Sequence, residues 1–161
     1  IMRSIRVHGA GKDKYENIRL GLNGRLDTIQ AAILLEKLEI FDEELLYRNK
    51  IADYYKRNLN KNFKYQFIPK DYTSSWAQFS LVAESNHDRN MIIEKFKNDN
   101  IPIMVYYKIP LHLQNVFNYL GYNIGDFSNT EIISNQIFSI PMYPYLIESE
   151  QDKILKILNE N

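Results

Sequence analysis

The 161-residue sequence contains no cysteine, which excludes disulfides and thiolate metal sites and agrees with a reducing compartment. It has no excess charge of either sign, with 20 Lys and Arg against 20 Asp and Glu. No basic block stands out, so the electrostatic footprint of a nucleic-acid partner is missing. No apolar run approaches the roughly 20 residues that cross a bilayer, and the opening IMRSIRVHGAGKDKYE lacks the apolar centre of a signal peptide. These absences predict a soluble, cytoplasmic protein without nucleic-acid or membrane partners. There is no internal repeat, serine nucleophile elbow, phosphate-cradling glycine loop or paired-carboxylate motif. His8, His87 and His112 lack a second ligand at a helical spacing, so no metal site is expected.

What is present is a folded composition: 45% hydrophobic and 25% charged residues exclude the disordered class. The length suits one domain with a core, or the tail of something larger. The opening reads as the last turn of an element that began earlier, so the start of the protein is expected to be missing.

Asp27 and Gln30 have capping-box spacing and predict a helix start. Leu22, Leu26, Ile29, Ile33, Leu34, Leu38, Phe41 and Leu45 recur at three- and four-residue steps. That stripe should face a core while Glu36, Glu39, Glu43 and Glu44 face water. The pattern runs to about Leu59 with a bend near Phe41, a strut between two bodies in which Ala31 and Ala32 leave room for a neighbour. SWAQFSLVAE then alternates Trp76, Gln78 and Ser80 against Ala77, Phe79 and Leu81, as a strand does. A short helix follows, capped by Ser85 or Asn86, with Met91, Ile92 and Phe96 on one face. IPIMVYYKIP reads as a second strand. Ser128 and Glu131 have capping-box spacing before Ile132, Ile133 and Ile137, SIPMYPYL is an extended connection, and ESEQDKILKILNEN is an amphipathic closing helix. The order gives an α+β unit, a small sheet with helices on one side.

The stretch GLNGRLD is the best candidate site. Glycines let the backbone turn and approach a ligand, Asn23 offers two amide donors, Arg25 offers a planar fork for an anion, and a helix start adds its dipole. The alternative is that Asn23 tolerates a left-handed conformation, Arg25 is a surface charge and Asp27 caps the helix. Tyr106, Tyr107 and His112 surround a strand end and a proline turn, a common place for a ligand to meet loops. His8 is either a ligand contact or a satisfied loop residue.

Taken together, RVHG at residues 6–9, GLNGRLDTIQAAILLEKL, YYKIPLHLQ and NTEIISNQIFSIPM resemble, in order, motifs of the DegT/StrS family of pyridoxal-phosphate-dependent sugar aminotransferases. The resemblance covers nearly the whole chain. It implies α/β architecture, the C-terminal part of a fold-type I aminotransferase. Residues 1–59 would be the end of the large domain and the connecting helix, and residues 60–161 a small α+β domain. It also implies a homodimer with shared active sites, and amino transfer from glutamate to the keto-sugar of a nucleoside diphosphate sugar in surface-polysaccharide or amino-sugar synthesis. Asn23 would hold the cofactor phosphate across the subunit interface, and Arg25, Tyr106, Tyr107 and His112 would meet the sugar nucleotide.

The Schiff-base lysine is expected upstream of RVHG. Lys12, Lys14, Lys70 and Lys108 lack its surroundings, so this chain alone is expected to be inactive. RLDTIQAAILLEKLEIF looks closest to members acting on UDP-linked 3-keto N-acetylated uronic acids, a branch with histidine where Tyr106 stands. Two other readings share these features, a dehydratase with histidine in place of the lysine and a non-catalytic dimerisation fragment.

Overall fold

The computed structural model describes residues 1–13, 15–60 and 62–160; Lys14 lies outside them. The chain divides into two compact units, Ile1–Asp42 and Glu43–Asn161.

In the first unit a single helical turn, α1 (Met2–Ile5), precedes a loop closed by isolated antiparallel bridges, Val7 with Asn23 and Ala10 with Asn17. Helix α2 (Thr28–Glu39) starts where the capping-box spacing places it, with the Asp27 carboxylate accepting from the Gln30 N–H at 2.8 Å. Its apolar stripe does not face a core. No residue of α2 is buried, and Ile29 is 76% and Leu38 64% exposed. Periodicity identifies a face that needs cover but says nothing about what covers it.

The expected bend near Phe41 is a full break. Ile40 leaves helical geometry at φ −107°, ψ 2°, and α3 (Phe41–Asn58) begins anew. Glu44, expected in water, is partly covered and accepts from the Tyr145 hydroxyl at 2.6 Å. Further along α3, Ile51, Ala52 and Tyr55 enter the core of the second unit.

That unit is built on an antiparallel sheet, β1 (Lys64–Tyr65), β2 (Phe79–Val82) and β3 (Ile137–Ile140), in the order β1-β2-β3. In β2, Phe79 and Leu81 are fully buried, whereas Ser80 and Val82 are half-buried. The Tyr55 ring lies 5.2 Å from Phe79. Phe96, Phe138 and Leu158 complete the fully buried set, contributed by α4 (Asn86–Asn98), β3 and α6 (Glu148–Asn159). Ser85 caps α4, accepting from the Asp88 N–H. Ile92 and Phe96 of α4 are buried, but Met91 is 45% exposed.

Three expectations need correction. The strand through SWAQFSLVAE shrinks to β2, because Trp76 adopts φ 44° and turns its indole into the core. IPIMVYYKIP is not a strand. Only Met104 pairs, its N–H donating to Ser139 C=O at 3.1 Å and its C=O accepting from the Ser139 N–H at 2.7 Å. Pro102, two residues earlier, has no N–H to extend that ladder, and the chain turns at Tyr106–Lys108. Helix α5 (Ser128–Gln136) starts one residue beyond its Phe127 cap, and Ile137, expected inside it, opens β3. Ile132 and Ile133 of α5 are exposed.

Candidate functional site

The first unit brings two motif segments together. Residues 5–9 and 21–25 run antiparallel, with the Leu22 N–H donating to Ile5 C=O at 2.9 Å, the His8 N–H to Leu22 C=O at 3.1 Å, and the Gly24 N–H to Arg6 C=O at 2.8 Å. Glycine is required at the closest approach. A Cβ on Gly21 would lie 2.0 Å from the Gly9 nitrogen and 2.3 Å from the His8 carbonyl carbon. The left-handed positions are His8 (φ 59°) and Gly9 (φ 76°), and Asn23 is not among them. It is bridged to Val7, so the left-handed explanation for its presence falls away.

Asn23 and Arg25, two residues apart on an extended segment, project to the same side. Both are exposed, and among the described residues neither side chain has a recorded hydrogen bond or ion pair. An amide and a guanidinium left free on a rigid backbone turn are donors suited to a phosphate. Asp27 spends its carboxylate on the helix start, and His8 is exposed with its backbone tied to Leu22.

The other three candidates belong to the second unit. Tyr106 is half-buried and Tyr107 is 78% exposed, their rings 6.2 Å apart. Neither hydroxyl has a recorded hydrogen bond among the described residues. His112 is packed inward. Its side chain is 8% exposed, Nε2 lies 3.1 Å from Glu131 Oε1, and its ring is 4.8 Å from Phe127.

Glu131 also accepts from the Gly125 N–H at 2.9 Å and the Phe127 N–H at 3.3 Å. Burial pushes this carboxyl up, but the bonds from Gly125, His112 and Phe127 outweigh it and hold it below the usual glutamate range. His112 and Glu131 are thus a clamp on the loop 121–127. Gly125, at φ +100°, gives that loop a backbone conformation that a side chain would strain.

Sequence reasoning missed two residues beside Tyr106. Gln78, read as one polar position of an alternating strand, is exposed on the rim of a cavity that Tyr106 also lines. Arg48, on α3, donates from Nη1 to Trp76 C=O at 2.9 Å and to Met142 C=O at 3.3 Å. The signal for Gln78 was an amide in an otherwise small and apolar segment. For Arg48 the sequence carried none, since its acceptors are backbone carbonyls 28 and 94 residues away.

The model of the DegT/DnrJ/EryC1/StrS aminotransferase family matches residues 1–159. The UDP-2-acetamido-2-deoxy-3-oxo-D-glucuronate aminotransferase of Pseudomonas aeruginosa is 37% identical over 148 residues, 90% of this chain and 39% of that protein. The dTDP-3-amino-3,6-dideoxy-alpha-D-galactopyranose transaminase of Aneurinibacillus thermoaerophilus is 30% identical over 156 residues, 96% of this chain and 41% of that protein. A crystal structure of a DegT/DnrJ/EryC1/StrS aminotransferase from Brucella abortus superposes with a TM-score of 0.87 at 39% identity, covering 99% of this chain and 42% of that one. The chain therefore spans about two fifths of the length of the relatives it matches.

Proposed function

The chain belongs to the DegT/DnrJ/EryC1/StrS aminotransferase family, and from that premise we propose that the protein containing it moves an amino group from glutamate to the keto-sugar of a nucleoside diphosphate sugar. The single observation that carries this reading is the Asn23 and Arg25 turn. Its donors are free, and its backbone is packed so tightly at Gly21 that its position is fixed before any ligand arrives. Identity to the P. aeruginosa enzyme supports a UDP-linked 3-keto N-acetylated uronic acid as substrate.

The fit to pyridoxal phosphate rests on that donor set. The Asn23 amide would hold the cofactor phosphate, and Arg25 would meet the anionic part of the sugar nucleotide. Bound pyridoxal phosphate supplies the electron sink through which the amino group is detached and delivered. The chain's own work is binding and orientation, with neutral amide and cationic donors fixed on the turn and the Tyr106 and Tyr107 hydroxyls offered to the nucleotide-sugar. In this reading residues 1–59 close the large domain and 60–161 form the small domain. A second copy covers the apolar face of α2 in a homodimer, whose subunits share the work of each site.

The test uses the complete protein. Asn23→Ala should weaken cofactor retention, followed by the absorbance of bound pyridoxal phosphate during dialysis, without lowering the unfolding midpoint. Retention equal to wild type would remove Asn23 from the site. Assay against a panel of keto-sugar nucleotides should show nitrogen gained from glutamate. A product that has instead lost water would assign dehydratase chemistry.

A further inference from the structure

In the second unit a cavity of about 170 Å³ opens where the chain enters β2 and leaves β3. That volume accommodates a single six-membered ring. Its walls are Met104, Met142 and Pro102, and its polar lining is Gln78, Tyr106 and Ser139. The Ser139 hydroxyl is spent on Ser80 at 2.8 Å. Gln78 and Tyr106 have no recorded side-chain hydrogen bond among the described residues. The slot therefore offers one free carboxamide and one free phenol, flanked by two thioethers, which pack well against flat π-systems.

The slot is also preformed. Arg48 ties both rims, through Trp76 C=O and Met142 C=O. The Tyr55 hydroxyl donates to Pro141 C=O at 3.0 Å. The third wall is held by the paired bonds between Met104 and Ser139. Trp76 keeps its left-handed backbone because its N–H bonds Ser74 Oγ and its indole N–H bonds Asn49 Oδ1 at 3.0 Å. That fixed turn presents Ala77 and Gln78 to the slot, and a ligand entering would pay little to organise them.

We propose that this slot receives the uracil ring of the nucleotide-sugar, with the Gln78 carboxamide pairing the imide edge of the base. The inference rests on the nucleotide-sugar reading above and adds the subsite. In that pairing the base N3–H donates to Gln78 Oε1, and a flanking base carbonyl accepts from Gln78 Nε2.

The experiment is calorimetric titration of the complete protein with UDP and inorganic pyrophosphate, repeated on Gln78→Met and Gln78→Glu. Because Gln78 is exposed and unbonded, both variants should fold. A lost bidentate pair to a base corresponds to about tenfold or more in affinity. UDP binding should weaken by that factor in both variants, and pyrophosphate binding should stay within about twofold. In wild type, the methyl resonances of Met104 and Met142 should shift with UDP and not with pyrophosphate. Unchanged UDP affinity in Gln78→Met, or equal losses for UDP and pyrophosphate, would overturn the subsite and leave the nucleotide-sugar reading standing. Failure of wild type to bind UDP at all would remove both.

Discussion

Replacing Arg48 by Met tests whether one guanidinium holds the 74–78 turn against the segment leaving β3. The methionine keeps most of the aliphatic stem and deletes the donor. A hydrogen bond from a charged group contributes about 1.5–3 kcal/mol. Arg48 makes one good bond of this kind, 2.9 Å to Trp76 C=O, and a longer one of 3.3 Å to Met142 C=O. The arginine is half-buried, so solvent repairs part of the loss at the freed carbonyls. The expected cost is about 2–3 kcal/mol. At about 3–5 °C per kcal/mol for a domain of intermediate size, the melting temperature should fall by about 6–15 °C.

Trp76 is the single tryptophan of the chain and is almost fully buried, so its emission reports on the same turn. Arg48→Met should shift that emission to the red in the folded state, before any unfolding transition. Asn49→Ala, which removes the neutral bond to the indole N–H together with those to Leu45 C=O and Ser74 C=O, should cost about 1–2 kcal/mol. The double variant should lose less than the sum, because both residues hold one turn. A melting temperature and emission unchanged in Arg48→Met would refute the pinning argument, and with it the claim that the Gln78 slot is preformed.

Two other outcomes follow from the geometry. Gly21→Ala places a methyl into the backbone of His8 and Gly9, where no flexible side chain can yield. Overpacking of this kind costs about 1–3 kcal/mol, and cofactor retention should drop at least as far as in Asn23→Ala. The Glu131 carboxyl is held below its usual range, so its contribution is complete above the unfolded-state value and is lost as pH falls through the lower folded-state value. The protection of the Gly125 and Phe127 amides, measured against the intrinsic exchange rate at each pH, should therefore fall on acidification below the ordinary glutamate range. In Glu131→Gln that acid-dependent loss of protection should be absent.

Much of the helical framework was legible because helix starts are local chemistry. Asp27 caps α2 as its spacing implied, Ser85, one of the two candidates, caps α4, and the apolar positions of the last helix bury Ile154, Leu155, Ile157 and Leu158 in α6. The sheet was less legible because its pairing is decided at long range. Alternation through SWAQFSLVAE is real in Phe79–Val82, but Trp76 obeys Asn49 and Arg48, side chains of α3, rather than its neighbours. Met104 finds one partner, and Ile137–Ile140 becomes the edge strand β3, paired with β2 on one side and bridged only at Met104 on the other. In the candidate site, Asn23 and Arg25 could be named from residue type and glycine spacing. The pairing of their segment with residues 5–9 could not, since two short stretches carry no register signal.

The two units are stabilised by different means, and the difference bears on function. The second unit buries Tyr55, Phe79, Phe96, Phe138 and Leu158 around its own sheet, enough apolar surface for the loops around Tyr106 and His112 to be held without a ligand. Among its described residues the first unit has no buried large side chain. Its order comes from backbone bonds and glycine contacts, while Leu20 is 97%, Ile29 76% and Leu35 64% exposed. Apolar exposure on that scale marks an interaction surface. A unit held together mainly by backbone contacts gains stability from whatever binds its folded form, by mass action. Phosphate on the Asn23 turn and a second copy on the α2 face would then be thermodynamically linked through the first unit. Dilution of the complete protein should loosen the cofactor, and added cofactor should hold the dimer together at lower concentration. Cofactor retention independent of protein concentration, measured across the dissociation range by sedimentation and absorbance, would break that link.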